Sequence, residues 1–399
     1  MSSLLEPTTL GDSLDLRNRI CMGSMTRNRC VDDNKPTEAT ARHYAMRARD
    51  GAGLIIAEGT FVYLNGGEWL HAPVMFNESH AKAWKPVTDA VHREGGKILF
   101  QPWHPGRIQN ENMPMLRNSG YPVLAPSKIK AAGGKYRLLD GIPGHTSNIT
   151  EIKDPNEIID QYKTSVRLAK DAGFDGVEIL AQGGYVLHNF LCTHANSRTD
   201  KYGGSVENRC RFVLEVLDGV IEAWGSPRQV GIKICPSDDA NDTTVSYDEL
   251  SSTYDYLIRQ MMTRRLGFIN LSRRGAAFAR LQDDFFKAGA RPAGKELPPG
   301  YDPVEQFGHL VKYPGSPTML MVNYEYTVEE GEELVRAGKV DLISFARPFI
   351  YNPDLISRIK QGLKLATNNR GGTVNYGPYA HVDENYNDWP SATGEVVKA

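Results

Sequence analysis

The feature that most constrains the fold of this chain is a regular alternation between short apolar runs and longer amphipathic segments. Most of the apolar runs are continuous and rich in β-branched residues, which is typical of parallel strands buried on both faces. Eight such runs occur, at residues 19–25, 53–59, 97–103, 175–181, 230–236, 267–272, 318–323 and 340–346. The segments between them begin at proline or N-cap residues and end near glycine, which predicts helices.

Eight strand–helix units in this order predict an α/β fold of the (β/α)8 TIM-barrel type. An open, doubly wound sheet is the structural alternative. The first predicted strand is not followed by a Gly-x-Gly-x-x-Gly motif, which weighs against a dinucleotide-binding sheet of that kind. We therefore predict a single TIM-barrel domain that spans residues 1–399.

Two connections are longer than a simple barrel requires. Residues 104–150 follow the third predicted strand, residues 273–316 follow the sixth, and both are rich in Gly and Pro. Connections of this length in compact domains are usually lids or binding loops. Both belong to the C-terminal face of a TIM barrel, where active sites are built. We predict that they cap the barrel mouth, and that residues 303–312 also supply the helix after the sixth strand.

Charge and cysteine content exclude several classes of function. The chain has 46 Lys and Arg against 48 Asp and Glu, so we expect no nucleic-acid partner. Its five cysteines are scattered without a Cys-x-x-Cys pair, which predicts reduced thiols in a cytoplasmic protein and no metal site. No secretory signal is visible at the N-terminus, and no apolar run is long enough to cross a membrane.

Polar and small residues gather where the predicted strands end. Because the carboxyl ends of parallel strands meet at one mouth, we expect these residues to surround it. They are Ser24, Thr26, Glu58, Gly59, Gln101, Lys233, Asn323, Ala346 and Arg347. Such a ring suits a planar, hydrogen-bonding, phosphate-bearing cofactor.

Arg347 is the candidate ligand of the phosphate. Loops after strands seven and eight form the usual phosphate site of such barrels, and a guanidinium can hold a phosphate by a forked, charge-assisted contact. Each residue also has a simpler interpretation. Arg347 can cap a helix that starts near Asn352, and Lys233 can pair with a glutamate inside the barrel. Gln101 and Thr26 can be satisfied core residues.

Seven motifs, spread over nearly the whole chain, carry a resemblance to a known family. They are NRICMGSMTRNR (18–29), AEGTF (57–61), QPWHPGR (101–107), AGFDGVEI (172–179), NSRTDKYGGSVENRCRF (196–212), ARPFIYNPDL (346–355) and ENYNDWP (384–390). The run Arg-Thr-Asp-x-Tyr-Gly-Gly-Ser-x-Glu-Asn-Arg is long and specific. On these residues the chain resembles the old yellow enzyme family of FMN-dependent ene reductases, as a divergent member.

The resemblance implies FMN, bound non-covalently over the barrel mouth, and NADPH as the transient hydride source. Ser24 and Thr26 match residues beside the isoalloxazine ring, and Gly59 and Gln101 match residues that hydrogen-bond its pyrimidine edge. The domain is therefore expected to be an FMN-binding barrel. Small-molecule substrates are the expected partners, and relatives include monomers and homodimers.

Two parts of the implied flavin site depart from the family pattern. Lys233 stands where the family usually has arginine near flavin N1 and O2. Lysine keeps the charge that stabilises the reduced flavin but loses the fork. Asn323, Ala346 and Arg347 match the phosphate-binding loops. Val322 stands where the family has glycine, and we expect it to obstruct close approach of the backbone to the phosphate.

The fourth predicted strand departs most from the family pattern. Relatives have His-x-x-Asn or His-x-x-His followed two residues later by tyrosine, whereas this chain has Leu180, Gly183 and Tyr185. In relatives the first pair hydrogen-bonds the carbonyl oxygen of an enone and helps to seat the nicotinamide, and the tyrosine protonates the α-carbon. The resemblance thus implies that Tyr185 is the catalytic proton donor, although it can also simply pack at the strand end.

Loss of the carbonyl-binding pair changes the expected substrate. One oxyanion donor is worth roughly 2.7–4 kcal/mol in the transition state, so a small enone should react poorly. Leu180 and Gly183 leave a roomier, more apolar pocket, shaped by Trp103 and Tyr376, which suits a bulky substrate of the secondary-metabolite kind. The candidates for a replacement donor are Gln182, Asn375 and Tyr376, and less readily His188 and Asn189.

Three functions fit these observations. The first is an FMN-dependent oxidoreductase that reduces, or in reverse desaturates, an activated C=C bond with NADPH as hydride source. The second is a redox-neutral isomerase or cyclase on the same scaffold, suggested by the lost carbonyl anchors, Val322 and Lys233. The third is a non-catalytic flavin-binding protein, which no positive feature of the sequence supports.

Overall fold

The barrel predicted from the sequence is present. The computed structural model describes residues 2–134, 141, 144–274, 291–371, 374 and 379–394. Eight parallel strands, numbered β1 to β8 in chain order, close into a barrel in which β8 pairs with β1. Their bounds are Ile20–Met22, Leu54–Ile56, Ile98–Phe100, Gly176–Ala181, Val230–Ile234, Phe268–Ser272, Met319–Asn323 and Leu342–Phe345. The closure rules out the open-sheet alternative.

One helix follows each barrel strand, and we number these helices α1 to α8. Their bounds are Glu38–Asp50, Glu78–Arg93, Pro155–Asp171, Val206–Trp224, Tyr247–Met262, Pro303–Val311, Val328–Arg336 and Leu355–Gln361. The helices begin and end at the kinds of residue that the sequence predicted. Asn77 and Asp154 cap α2 and α3 by accepting backbone N–H groups, and Gly51 and Gly225 end α1 and α4 in the left-handed conformation.

Shorter elements decorate this framework. Among the described residues, three short α-helices span Pro114–Ser119, Val186–Leu191 and Arg347–Tyr351, and three 3-10 turns span Ser3–Leu5, Gly106–Ile108 and Pro227–Gln229. The same residues form three two-stranded sheets, which pair Thr8–Leu10 with Leu14–Leu16, Thr60–Phe61 with Pro102–Trp103, and Val123–Ala125 with Ile149–Glu151. Within the described residues, no helix combines the length and the apolar character needed to cross a membrane. The five cysteines are buried free thiols.

The barrel interior is apolar at its lower end and polar at its upper end. The N-terminal hairpin, residues 8–16, packs its leucines against inward-facing Leu99, Phe268 and Met321, which closes the bottom. Two residues further along their strands, on the same face, lie Gln101, Asn270 and Asn323, all buried. Because alternate residues of a strand face the same side, these polar side chains lie above the apolar ones, toward the mouth of the barrel.

The long connections contain structure of their own. Residues 104–150 include the helix Pro114–Ser119 and the strands Val123–Ala125 and Ile149–Glu151, and residues 273–316 include α6. Of these connections, residues 135–140, 142–143 and 275–290 lie outside the described part of the chain. That the two connections cap the mouth stays a prediction.

Candidate active site

A buried carboxylate, Glu178, lies at the centre of the polar interior. Its Oε1 accepts a hydrogen bond from Gln101 Nε2 at 2.7 Å, and its Oε2 accepts one from Asn270 Nδ2 at 2.7 Å. Burial raises the pKa of Glu178, and the nearby charge of Lys233 opposes that rise. The sequence contained a signal for this residue, because a glutamate within a strand buried on both faces needs partners.

Gln101 links Glu178 to the barrel mouth. Because its NH2 group donates to the carboxylate, its Oε1 points the other way and accepts from Ser24 Oγ at 2.8 Å. Gly59 makes room beside it, since a Cβ at Gly59 would lie 3.2 Å from Gln101 Oε1 and 3.1 Å from Trp103 Nε1. The structure thus brings together three of the predicted ring residues, with Thr26 half-buried nearby in the chain.

Lys233 reaches the same interior from β5, where it pairs in register with Leu180 of β4. The residue is only 7% exposed. Burial lowers the pKa of Lys233, and the negative charge of Glu178 raises it. The simpler interpretation of Lys233, a partner for a glutamate inside the barrel, is therefore compatible with its predicted place at the mouth.

The ends of β7 and β8 lie side by side, because Asn323 pairs in register with Ser344. Both residues are buried. Arg347 follows two residues after β8 ends and opens the short helix Arg347–Tyr351, with Ala346 as its N-cap residue. The next long helix, α8, has Asp354 as its N-cap residue.

Val322 lies within β7 and not in the turn that follows it, and its obstruction of the phosphate stays a prediction. Val322 is an extended, fully buried residue of β7 that packs in the apolar cluster shared with the outer helices. The left-handed residues are instead Tyr324, with φ of 82°, and Glu325, with φ of 55°. Neither is glycine, so this turn carries the backbone strain. Burial raises the pKa of Tyr324, the charge of Arg347 lowers it, and Glu325 raises it.

A turn with two consecutive glycines follows β4. Gly183 and Gly184 both have φ of 74°, a conformation that favours glycine. Loop residues after β5 hold the turn, since Asp238 accepts the Gly183 N–H and Asn241 Nδ2 donates to Gly183 O at 2.7 Å. From the other side, His188 Nδ1 accepts from Gly184 N at 3.1 Å. Sequence analysis did not predict the part played by Asp238 and Asn241.

Aromatic side chains surround the end of β4. The cluster comprises Phe61, Trp69, Ala72, Val74 and Trp103, with Phe76, Met115, Leu180 and Tyr185 packed against it. Tyr185 meets Trp103 edge to face, with ring centroids 4.3 Å apart and planes at 63°. A Cβ at Gly183 would lie 2.7 Å from Cε2 of Tyr185, so glycine there lets the tyrosine ring sit close to the turn.

The candidate replacement donors divide into three groups. His188 and Asn189 serve the turn itself, since Asn189 Nδ2 also donates to Gly184 O at 2.8 Å. Gln182 is half-buried, and its Oε1 has no hydrogen-bond partner within the part of the chain that the structure describes. Asn375 and Tyr376 lie outside the described residues.

The upper barrel fits a polar, planar ligand such as FMN. Several buried polar atoms there have no hydrogen-bond partner among the residues that the structure describes, and buried polar groups are normally satisfied. These atoms are Asn270 Oδ1, Asn323 Oδ1, Ser344 Oγ and Trp103 Nε1. They add to Ser24, Gln101 and Lys233 a set of donors and acceptors of the kind that a flavin ring and its ribityl chain require.

A comparison with protein families decides the assignment. A model of the NADH:flavin oxidoreductase / NADH oxidase family matches residues 3–366. The chain belongs to this family. A probable flavin mononucleotide-dependent alkene reductase of Leishmania infantum is 32% identical over 392 residues, which is 97% of each chain. The 12-oxophytodienoate reductase 7 of Oryza sativa subsp. japonica is 33% identical over 356 residues, 86% of this chain and 84% of that protein.

Solved structures of the family agree with the fold. An old yellow enzyme homologue from Zymomonas mobilis superposes with a TM-score of 0.82 at 32% identity, covering 97% of this chain and 99% of its own. Morphinone reductase in complex with tetrahydroNAD gives a TM-score of 0.80 at 31% identity, covering 98% of each chain. The predicted family and barrel are confirmed. The protein is an FMN-dependent NAD(P)H oxidoreductase of the old yellow enzyme family.

Proposed function

We propose that this enzyme reduces an activated C=C bond of a bulky, apolar metabolite with hydride from NADPH, and that Tyr185 donates the proton. The observation that carries the proposal is the aromatic cluster at the end of β4, in which Leu180 and Tyr185 pack against Trp103. The relative named as a probable alkene reductase supports reduction of a C=C bond. When bound, FMN supplies the hydride.

The cofactor would be held by residues of the mouth. Ser24, Thr26, Gly59 and Gln101 would contact the ring, and Lys233 would place its charge beneath the pyrimidine edge. Asn323, Ala346 and Arg347 would meet the ribityl phosphate end, as loops after strands seven and eight commonly do. The Ser24–Gln101 hydrogen bond supports this arrangement, because it joins side chains that follow β1 and β3.

Tyr185 is suited to hold and deliver a proton. It precedes the short helix Val186–Leu191, and the contacts of Asp238 and Asn241 to Gly183 fix the turn before it. Its ring packs edge to face on Trp103 and is half-buried. A phenol keeps its proton at neutral pH, so it can act as a general acid.

The substrate would be held by shape more than by its carbonyl group. Hydride addition to an enone leaves negative charge on the carbonyl oxygen, and neither Leu180 nor Gly183 has a side-chain donor for it. Apolar burial contributes roughly 25 cal/mol per Å², so a large ring system can replace the lost hydrogen bonds in binding. We propose that Gln182 turns its amide N–H toward this oxygen in the complex.

The first long connection would close one side of this pocket. Arg107 is fully buried and donates from Nη2 to Asp242 O at 2.6 Å, and the backbone N of Ala132 donates to Asp242 Oδ2 at 3.1 Å. These bonds tie residues 104–150 to the loop after β5, which also holds the turn at Gly183. This supports a capping role for residues 104–150.

An anaerobic titration with NADPH, followed at the visible flavin band, tests the proposal. We expect the band to bleach, and then to recover quickly with a bulky polycyclic enone and slowly with a small cyclic enone. Tyr185→Phe should leave bleaching unchanged and slow recovery by about 10²-fold or more. Substrate turnover without consumption of NADPH would instead indicate a redox-neutral isomerase or cyclase. A silent Tyr185→Phe variant in every assay would indicate a non-catalytic flavin binder.

A further inference from the structure

We propose that Glu178 is a positioning residue that orients the amide of Gln101 and offsets the charge of Lys233, and thereby sets the reduction potential of the bound flavin. The inference needs the FMN that the family uses and is independent of the substrate proposed above. It concerns a fully buried side chain two residues before Leu180, on the same face of β4.

Both carboxyl oxygens of Glu178 accept hydrogen bonds. Two amide groups from different strands, Gln101 Nε2 and Asn270 Nδ2, each donate to one of its oxygens at 2.7 Å. Both donors and the carboxylate are buried. A carboxylate with one charge-assisted bond on each oxygen is locked in place between β3 and β6.

This arrangement decides which atom Gln101 offers to the cofactor. A carboxylate accepts only, so it selects the NH2 group of Gln101 and leaves Oε1 on the side of Ser24 and the mouth. The flavin pyrimidine edge has an N–H group, for which an outward-facing oxygen is the matching acceptor. With a neutral amide at residue 178, either orientation of Gln101 would be possible, and the match would be lost in part of the molecules.

The same carboxylate weakens the positive potential beneath the flavin. Lys233 is buried on β5 two residues beyond Gly231, which pairs in register with Glu178, so both side chains enter the same interior. Glu178 raises the pKa of Lys233, and Lys233 lowers the pKa of Glu178. A lone buried cation would strongly favour the negatively charged, reduced flavin. A neighbouring anion cancels part of that effect, because in a medium of low dielectric both charges act over several ångströms. Glu178 therefore keeps the flavin a stronger hydride donor than Lys233 alone would allow.

The test is the midpoint potential of FMN in the purified holoenzyme, measured by equilibration with a reference dye. Glu178→Gln should raise the potential by an amount equal to at least a tenfold change in the two-electron equilibrium, about 30 mV. Glu178→Asp keeps the charge and should stay close to the wild type. An unchanged potential in Glu178→Gln, or an equal shift in Glu178→Asp, would overturn the proposal.

A second set of variants covers the case in which Glu178→Gln does not fold, since it leaves Lys233 as an unpaired buried charge. Lys233→Gln should lower the potential, because it removes the cation and leaves the anion. The double variant with Gln at both positions has neither charge and should lie above Lys233→Gln by the same tenfold factor. Equal potentials for these two proteins would show that Glu178 does not act on the flavin.

Discussion

The polar interior of the barrel and the turn after β4 are neighbours in the chain but are held by different kinds of contact. Glu178 sits in a strand whose ladder to β5 is continuous from Val177 to Ala181. Gly183, five residues later than Glu178, has left the ladder and is held by side chains of the loop after β5. The interior is therefore fixed by the barrel itself, whereas the turn is fixed by a distant loop.

This difference shows where a barrel enzyme can change its chemistry. Residues in the ladder keep their direction when a side chain is exchanged, because backbone pairing sets that direction. The turn carries Tyr185 and can be reshaped by glycine and by the partners of glycine without touching the barrel. In this protein the barrel interior holds the buried polar residues Gln101, Glu178 and Asn270, whereas an aromatic and apolar cluster lies at the end of β4.

The largest expected effect comes from Leu180→His, which places a hydrogen-bond donor on β4 itself, before the chain leaves the strand for the turn. The β4 backbone should not move, because Leu180 still pairs with Lys233 of β5. One oxyanion donor is worth roughly 2.7–4 kcal/mol, so kcat/KM for a small cyclic enone should rise by about 10²-fold. Leu180→Phe, which changes shape without a donor, is the control. Equal rates for both variants would show that a donor at residue 180 cannot reach the carbonyl oxygen.

The difference between the barrel strands and the turn after β4 also separates what the sequence could predict from what it could not. The barrel, its helices and the inward ring at Ser24, Gln101 and Lys233 follow from periodicity and strand ends, which are local properties. The contact between Gly183 and Asp238 joins residues 55 positions apart, and no local pattern contains it. The glutamate at Glu178 was visible as a charge within an apolar strand, but its partners come from two other strands.

The turn after β7 was missed for a related reason. The family resemblance points to Val322, because it implies a glycine just before Asn323. The structure has Tyr324 and Glu325 in the left-handed conformation, one and two residues after the strand. Side chains that rarely adopt this conformation are held in it by their surroundings, and sequence preference argues against it at both positions. Propensity alone therefore could not place this turn.

A second, smaller effect tests whether carboxylates of the polar interior behave as buried charges. Glu58 follows β2 and is fully buried, with Oε2 accepting from Arg27 N at 2.9 Å. Burial raises the pKa of Glu58 from 4.5 to about 7. A raised pKa in the folded state means that the stabilising contribution is present below pH 4.5 and is lost as the pH rises through 7.

Glu58→Gln should remove this loss. At pH 8 the variant should be more stable than the wild type by roughly 1–3 kcal/mol, and below pH 4.5 the two should be alike. Urea unfolding of both proteins between pH 4 and 8 measures the difference, in which the contributions of all other groups cancel. Glu157→Gln, which changes an exposed glutamate of α3, is the control for net charge. Parallel pH profiles for Glu58→Gln and the wild type would contradict the buried, raised pKa.

The smallest expected effect comes from alanine at Gly183, where the turn after β4 requires both a left-handed backbone and space for the Tyr185 ring. Gly183 and Gly300 share a φ of 74°, but a Cβ at Gly300 meets nothing within 4 Å, whereas one at Gly183 lies 2.7 Å from the Tyr185 ring. Alanine at either position should cost about 1 kcal/mol of unfolding free energy, because the left-handed backbone disfavours a side chain.

Only Gly183→Ala should also push Tyr185 away from Trp103. We therefore expect it to slow flavin reoxidation by the substrate while Gly300→Ala leaves that rate unchanged, in a stopped-flow comparison of NADPH-reduced enzymes. Equal losses of unfolding free energy in the two variants would show that the left-handed backbone costs the same at both positions. A normal reoxidation rate in Gly183→Ala would mean that the tyrosine ring does not depend on the space left by glycine. The absence of a side chain at residue 183 would then bear on substrate binding alone.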